Sequence, residues 1–232
     1  MRRWLAVTWV VACACVAATA AAAEPGSWKL AYRHHGLSVY QDGSDSKPSY
    51  MIEGIIDANL FSVLAILADV GHRTEWVRDL KESRIVDGNV EKAVVIYERY
   101  HLPWPCRDRD ALVYSEIFED DANLAVTVKY HEVVRADVPP RPGVVRMPAT
   151  RGSMFFRYVD RGHSFARVVV RLDVGGRIPG FIVNWVARQV PAITVDGMLR
   201  RIQATRGKYD AFVRAHADLA RQRTRIPFEV EP

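Results

Sequence analysis

The sequence predicts an α+β fold in which a curved antiparallel sheet wraps around one long C-terminal helix. Short apolar segments separated by turn residues recur between residues 37 and 174, a spacing typical of consecutive antiparallel strands. After Pro191, apolar side chains recur at three- to five-residue steps, as on one face of a helix about 25–30 residues long. Because the strands do not alternate regularly with helices, the order of elements argues against a parallel sheet.

The first 23 residues predict a secretory signal that is cleaved before Glu24. Two arginines precede an apolar run, and three alanines precede the cleavage point. The run is short for a membrane span, which needs ~20 residues, so a retained anchor is the weaker alternative, as is lipid attachment at Cys13. We therefore expect a periplasmic protein with one domain over residues 24–222 and a C-terminal tail over residues 223–232.

Charge and cysteine content exclude some classes of protein. The formal net charge is +5, and removing the two arginines of the signal, which contains no acid, leaves +3. Charges of both signs alternate along the chain, as on a solvated surface rather than a nucleic-acid-binding one. Cleavage also removes two of the three cysteines, so Cys106 has no partner for an intramolecular disulfide. We expect a monomer that binds no nucleic acid and is stabilised by its core.

The first elements are predicted from alternation, helical spacing and turn residues. Residues 27–33 are interpreted as a short helix or an extended lead-in. The next elements are strand Leu37–Tyr40, strand Tyr50–Ile56, helix Leu60–Asp69 and a short turn or helix over His72–Val77. Asp57 or Asn59 can cap the helix, and Gly71 can end it.

A series of strands follows. They are predicted over residues 84–86, 93–102, 111–118, 124–133, 153–159 and 164–174. In the second of these, alternation places Val94, Ile96, Glu98 and Tyr100 on one face. The strand ends at residues 103–105, because proline cannot donate a hydrogen bond to a neighbouring strand. Four prolines in residues 136–150 predict a surface loop or a flap that covers the sheet.

A sheet that curves around a helix leaves a space between the two. If large side chains do not fill that space, it forms an apolar pocket with its mouth beside the helix. The sequence therefore predicts an internal binding site for an apolar molecule.

Four sequence blocks carry a resemblance to a known family. They are Leu37–Tyr40; Trp76; Tyr97-Glu98 followed by Pro103-Trp104-Pro105 and Arg109-Asp110; and Gly175-Gly176-Arg177-Ile178-Pro179 with Asn184-Trp185 and Pro191. In order and spacing these blocks resemble the START domains, the lipid-transfer domains related to the steroidogenic acute regulatory protein. The last block is most similar to members that transfer phosphatidylcholine.

The resemblance implies a helix-grip fold and a tunnel-like cavity for one lipid or sterol. It also implies that the terminal helix and adjoining loops act as a lid, and that the protein transfers its ligand without covalent chemistry or a cofactor. Arg73 matches a position that contacts the phosphate of the choline lipid. Val77 stands where an acid is expected, and Ser115 where many members have an arginine, so specificity for phosphatidylcholine does not follow.

The expected ligand-binding residues combine the resemblance with the predicted cavity. They are Arg73, Trp76, Glu98, Tyr100, Tyr114, Ser115, Trp185, Met198 and Ile202. Several have a structural alternative. Glu98 is either a polar anchor for the ligand or an ion-pair partner of a neighbouring arginine. Trp76 and Trp104 either pack in the core or a turn, or line the cavity. Trp185 either contacts membrane or closes the pocket from inside.

Two further interpretations are weighed against ligand transfer. Related helix-grip proteins include cyclases and dehydratases, in which case Glu98, Tyr100 or Tyr114 would be the acid or base. A ligand sensor that docks to a partner is the third hypothesis. The adjacent His34 and His35 are predicted to face opposite ways on a strand, so no metal site is expected. Arg109 and Asp110 are expected to hold a bend as a charged pair.

Overall fold

The structure, a computed structural model, describes residues 28–42, 49–176, 178, 193–224 and 228. Its strands are β1 Trp28–His34, β2 Leu37–Asp42, β3 Ser49–Ile56, β4 Leu80–Asn89, β5 Ala93–Tyr100, β6 Arg109–Asp120, β7 Ala125–Glu132, β8 Val145–Arg146, β9 Ala149–Tyr158 and β10 Ser164–Asp173. Its helices are α1 Leu60–Ala68, α2 over residues 193–204 and α3 Asp210–Arg223.

The strands form one sheet in the order β1-β2-β3-β10-β9-β7-β6-β5-β4. All neighbours along this path are antiparallel, and the two-residue β8 pairs in parallel with the start of β6. The predicted α+β class and antiparallel sheet are therefore confirmed. Residues 28–34 form strand β1, so the lead-in is extended rather than helical. The proline-rich segment over residues 136–150 contributes the short strand β8.

Strand β4 is much longer than the three residues that the sequence predicted. It has two register shifts against β5, between Leu80 and Glu82 and between Ile85 and Asp87. A bulge adds a residue to one strand and so interrupts the two-residue alternation of side chains. The alternation on which the prediction relied is therefore visible only between the two bulges.

Helix α1 begins where the sequence offered two possible caps, and Asn59 is the one used. Its Oδ1 accepts a hydrogen bond from the backbone N–H of Phe61 at 2.9 Å, and its Nδ2 donates to the carbonyl of Arg161 at 3.1 Å. The helix ends at Ala68, before the predicted Gly71, and leads into a short 3₁₀ helix over Val70–Glu75. Asn59 thus fixes both the start of the helix and its position beside the β9–β10 turn.

The C-terminal helix is divided, so the prediction of one continuous helix of 25–30 residues was wrong. Residues 205–209 form a turn in which Gly207 adopts a φ of +84°. This left-handed conformation ends helices and favours glycine. The hydroxyl of Thr205 also donates to the carbonyl of Arg201 at 2.7 Å, at the last turn of α2.

The two terminal helices pack on different parts of α1. Buried Met198 of α2 joins a core cluster with Leu60, Val63 and Ile66 of α1, whereas Val213 and Ala217 of α3 pack with Phe61 and Ala65. A Cβ at Gly197 would lie 2.2 Å from the carbonyl oxygen of Trp76, so glycine permits the close approach of α2. In the described ranges, no helix combines the length and the apolar character needed to cross a membrane.

Candidate functional site

A cavity of about 480 Å³ lies between one face of the sheet and helices α1 and α3. Most of its wall is apolar. The apolar lining includes Leu64, Leu67, Val94, Ile96, Val113, Ile117, Val126, Val128, Met154, Val170, Leu172 and Phe212. A volume of this size lies within the range of pockets that hold small organic molecules.

Strand alternation builds this wall. On β5 the cavity is lined by Val94, Ile96, Glu98 and Tyr100, the four residues that the sequence placed on one face. The opposite face of β5 and β6 carries Val95, Tyr97 and Leu112, which pack with Val138 of the proline-rich segment. The flap alternative for that segment is thus observed at Val138, on the outer face of the sheet, whereas Met147 and Thr150 near its end line the cavity.

The polar part of the cavity is centred on Glu98. Its Oε1 accepts a hydrogen bond from Arg73 Nη1 at 2.9 Å, and its Oε2 accepts one from the hydroxyl of Tyr100 at 2.5 Å. Arg73 Nη2 donates to the carbonyl of Leu67 at 2.7 Å. The ion-pair alternative for Glu98 is therefore observed, and its partner is Arg73, which comes from the 3₁₀ turn after α1.

Two hydrogen-bonding atoms in this wall have no partner among the residues that the structure describes. They are Arg73 Nε, a donor, and Thr150 Oγ1, which can donate or accept. Both residues line the cavity. Both atoms are buried, and leaving a buried polar atom unpaired is costly.

Two tyrosines add hydroxyl donors to the same region. Burial raises the pKa of Tyr100 well above its ordinary value, and the charge of Glu98 and the hydrogen bond to it raise this pKa further. Burial, followed by the charge of Glu98, raises the pKa of Tyr130 on β7. Both phenols therefore stay protonated at neutral pH and act as hydrogen-bond donors.

The structure brings together four of the nine predicted ligand-binding residues. Arg73, Glu98, Tyr100 and Ser115 line the cavity. Trp185 lies outside the described residues. The other four, which are Trp76, Tyr114, Met198 and Ile202, are placed elsewhere.

Their positions follow from packing and from strand direction. Trp76 and Ile202 pack against the core cluster that contains Met198, where α2 meets α1. Tyr114 points to the outer face of β6, next to inward-facing Ser115, and its hydroxyl donates to Glu116 at 3.2 Å. Of the two terminal helices, α3 faces the cavity, whereas the predicted residues Met198 and Ile202 belong to α2.

Several lining residues were not among those predicted. Phe212 and His216 of α3 contribute stacked rings with centroids 3.8 Å apart. Tyr130 and Thr150 line the wall from β7 and β9. The sequence contained a signal for three of them, because Phe212 and His216 lie on the helical stripe, and Tyr130 alternates with Val128 on its strand.

Arg109 and Asp110 do not form the charged pair that the sequence predicted. Arg109 donates to the carbonyls of Val174 at 2.9 Å and Gly175 at 3.0 Å. Asp110 accepts from Arg146 at 2.8 Å. Neighbouring strand residues face opposite sides of a sheet, so each buried side chain finds a separate partner. Arg109 thereby holds the end of β10 against the start of β6.

The loop after β5 corrects a further expectation. Trp104 is 90% exposed, so it neither packs in the core nor lines the cavity. The adjacent Leu102 and Pro103 do line the cavity, which places the exposed indole beside its rim. Cys106 follows in the same loop, half-buried and with a free thiol.

The sequence predicted that His34 and His35 face opposite ways, and this prediction was wrong. Strand β1 ends at His34, and His35 adopts a φ of 44° in the turn that follows. Alternation therefore no longer applies, and the two rings stack with centroids 4.1 Å apart and planes 15° apart. Asp196 of α2 lies against both rings.

Comparison with known proteins gives consistent matches. A family model described as START domain matches residues 10–208. Phosphatidylcholine transfer protein of Rattus norvegicus is 24% identical over 190 residues, which cover 79% of this chain and 87% of that protein. Human StAR-related lipid transfer protein 5 matches with a TM-score of 0.70 at 16% identity, over 79% of this chain and 90% of that chain. A STAR-related lipid transfer protein of Xanthomonas axonopodis matches with a TM-score of 0.67 at 22% identity, over 76% of this chain and 99% of that chain.

Proposed function

This chain belongs to the START domain family, and from that premise we propose that it binds one lipid or sterol-like molecule in the cavity and transfers it between membranes. The observation that carries the proposal is the cavity itself, about 480 Å³ of mostly apolar wall with a hydrogen-bonded polar cluster at Arg73, Glu98 and Tyr100. Further charged side chains line it as well, namely Arg78, Asp79, Glu91, Arg109 and Glu119. An apolar body with a polar head complements such a wall.

The apolar wall supplies enough free energy for retention of a lipid. Burying a few hundred Å² of lipid at ~25 cal/mol per Å² contributes roughly 5–10 kcal/mol before the costs of ordering are subtracted. The polar cluster adds less affinity and orients the head. Because affinity comes mainly from the apolar wall and orientation from the polar cluster, the protein should discriminate weakly between acyl chains and more strongly between head groups.

The polar cluster favours a neutral head group. The charge of Arg73 is already balanced by Glu98 at 2.9 Å, so a phosphodiester would have to compete with that carboxylate. Arg73 Nε is buried without a partner among the described residues, so it donates to a ligand oxygen only if the side chain moves. Val77 lines the cavity where an acid would be needed to hold a choline cation. We therefore place sterols, fatty alcohols and acylglycerols ahead of phosphatidylcholine as ligands.

Transfer requires the ligand to leave through a mouth that meets a membrane. The rim at Leu102 and Pro103 adjoins the exposed Trp104, and tryptophan is well suited to the boundary between lipid and water. The proposed docking surface therefore includes this loop. The signal-like residues 1–23 support a periplasmic location, where two membranes are within reach of an exported carrier.

The decisive experiment is native mass spectrometry of the protein purified from its own host. We expect one lipid bound per chain, and chemical identification after release should give a molecule with a neutral polar head. Protein that carries no lipid and that binds no lipid class in vitro would contradict the proposal.

A helix-grip enzyme is the second candidate, because Glu98 and Tyr100 form a hydrogen-bonded pair inside the cavity. The raised pKa of Tyr100 keeps its phenol protonated at neutral pH and makes it a weak acid, which does not favour general acid–base catalysis by this residue. The two functions differ in one observable. A carrier releases its ligand with unchanged mass after prolonged incubation, whereas a dehydratase releases a product lighter by one water.

A further inference from the structure

Three side chains where the β1–β2 turn meets α2 do not line the lipid cavity, namely His34, His35 and Asp196. His34 Nε2 lies 3.1 Å from each carboxylate oxygen of Asp196, and His35 Nδ1 lies 3.4 Å from Asp196 Oδ1. One ligand atom from each residue can be chosen so that all three lie within 4.8 Å of one another. We propose that these residues form a binding site for a divalent transition-metal ion of the Zn²⁺ class.

The donor types and their spacing fit that class of ion. Two imidazoles and a carboxylate are ligands that Zn²⁺ prefers, at bond lengths of ~2.0–2.2 Å. Neighbouring ligands of a tetrahedral ion at those distances are about 3.3–3.6 Å apart. The separation of 3.4 Å between His35 and Asp196 falls in that range, and the 3.1 Å between His34 and Asp196 is slightly below it. Three protein ligands leave a fourth position for water.

Backbone geometry brings the ligands together. His35 occupies the left-handed region in the turn after β1, which is why its ring lies over that of His34. Asp196 is carried by α2, and the adjacent Gly197 and Met198 fix that helix against Trp76 and the core. Because His35 is 67% exposed, its ring can rotate to complete the coordination.

Paired imidazoles distinguish this cluster from the other histidine–carboxylate contacts. His101 contacts Asp108 at 3.0 Å, and His163 contacts Asp160 at 2.7 Å, each with a single imidazole. Such pairs are hydrogen bonds that need no ion. His101 is 52% exposed, so it offers a matched control for His35.

A bound ion would join the β1–β2 turn to α2, which are 162 residues apart at His34 and Asp196. Helix α2 leads through one turn into α3, and α3 lines the cavity with Phe212 and His216. The ion would therefore hold the terminal helices against the sheet edge. It binds whether or not the cavity carries lipid, so its test is independent of the proposed function.

Calorimetric titration of the metal-free full chain with Zn²⁺ tests the site. We expect one equivalent to bind to the wild type and to His101→Ala. His35→Asn keeps a residue that tolerates the left-handed conformation but removes an imidazole, so its affinity should fall at least tenfold. The affinity of Asp196→Asn for Zn²⁺ should fall by a similar factor. Equal affinity in His35→Asn and the wild type, or an equal loss in His101→Ala, would overturn the proposal.

Thermal unfolding and Co²⁺ absorption give readouts that do not depend on activity. A ligand that binds only the folded chain raises the melting temperature by mass action. Zn²⁺ should therefore raise the melting temperature of the wild type and of His101→Ala, but not that of His35→Asn. Co²⁺ should give a visible absorption band in the same two proteins. Equal Zn²⁺-induced shifts in all three proteins, or no shift in the wild type, would count against the site.

Discussion

Glu98 neutralises the guanidinium of Arg73 inside the cavity. Its inward direction follows from alternation along β5 and could be predicted from the sequence. Its partner could not be assigned, since Arg73 is 25 residues away and reaches Glu98 only through the turn after α1. The sequence therefore predicted the direction of the Glu98 side chain but did not identify its hydrogen-bond partners.

Replacing Glu98 tests the preference for a neutral head. In Glu98→Gln the positive charge of Arg73 is no longer balanced, so binding of an anionic lipid should improve by about tenfold relative to a neutral one. The lost charged hydrogen bonds should also destabilise the fold by about 1–3 kcal/mol. Competition between a fluorescent fatty acid and its alcohol gives the first quantity, and urea unfolding gives the second.

Glu116→Gln is the matched control for this substitution. Glu116 also accepts a hydrogen bond from a tyrosine two residues away, Tyr114, but on the exposed outer face of β6. Glu116→Gln should therefore leave both the lipid preference and the free energy of unfolding unchanged. If the two variants behave alike, Glu98 does not set the charge of the cavity.

At the scale of elements, the division of the terminal helix explains why two of the predicted ligand-binding residues, Met198 and Ile202, do not line the cavity. The apolar stripe runs through the break, because Thr205 and Tyr209 keep the helical spacing on either side of it. Gly207 lies off that stripe, so periodicity alone gave no sign of the turn. Once the helix is divided, α2 packs Met198 and Ile202 into the core and α3 faces the cavity.

The turn between α2 and α3 is attached to the end of α1 through Asp69. Its carboxylate accepts a hydrogen bond from the hydroxyl of Tyr209 and one from His72, and it lies 3.5 Å from Lys208 Nζ. Burial by itself raises the pKa of Asp69, but the hydrogen bonds from Tyr209 and His72 and the positive charges of His72 and Lys208 outweigh it and lower the pKa below 3.8.

This shift predicts an acid-sensitive contact. A carboxyl group with a lowered folded-state pKa contributes stability above its ordinary pKa of 3.8 and loses that contribution as the pH falls through the lowered value. The wild type should therefore lose stability more steeply below pH 3.8 than Asp69→Asn does. Urea unfolding across that range measures the difference, with the exposed Asp57→Asn as a control that follows the wild type. Parallel curves for Asp69→Asn and the wild type would contradict the assignment.

The loop after β5 gives a prediction about transfer. Trp104→Ala removes an exposed indole beside the rim without touching the cavity wall, so ligand binding should be unchanged. Transfer between liposomes should slow by roughly tenfold, as losing about 1.4 kcal/mol of membrane affinity would cause. Val134→Ala, at an equally exposed apolar residue after β7, should transfer at the wild-type rate. Equal rates for all three proteins would remove this loop from the docking surface.

For the whole molecule, sequence patterns predicted most of the sheet, because alternation along a regular strand shows its two faces. They gave only three residues of β4 and did not predict β8. They were insufficient for the helices, because which helix covers the cavity depends on a break and on a close approach at Gly197. The hollow interior depends on both. It exists because the inward residues of β5 and β6 are mostly valine, isoleucine, alanine and serine, while larger groups such as Tyr97 face outward under the proline-rich segment.

Two neighbouring residues of β6 test whether the interior is hollow. Val113 lines the cavity and Leu112 is buried on the opposite face, so the same added volume meets open space at one position and close packing at the other. Val113→Phe should leave the free energy of unfolding unchanged, because a filled cavity removes no contacts. Leu112→Phe should destabilise by about 1–3 kcal/mol through overpacking.

Ligand binding should respond in the opposite sense to stability. The phenyl ring of Val113→Phe occupies space that the lipid needs, so affinity should fall by at least tenfold, the equivalent of about 1.4 kcal/mol. Leu112→Phe that remains folded should bind as the wild type does, because its side chain does not reach the cavity. Urea unfolding and titration with a fluorescent lipid give the two quantities for each variant. If Val113→Phe were as destabilised as Leu112→Phe and bound lipid normally, the space would be packed rather than hollow, and no lipid could be carried there.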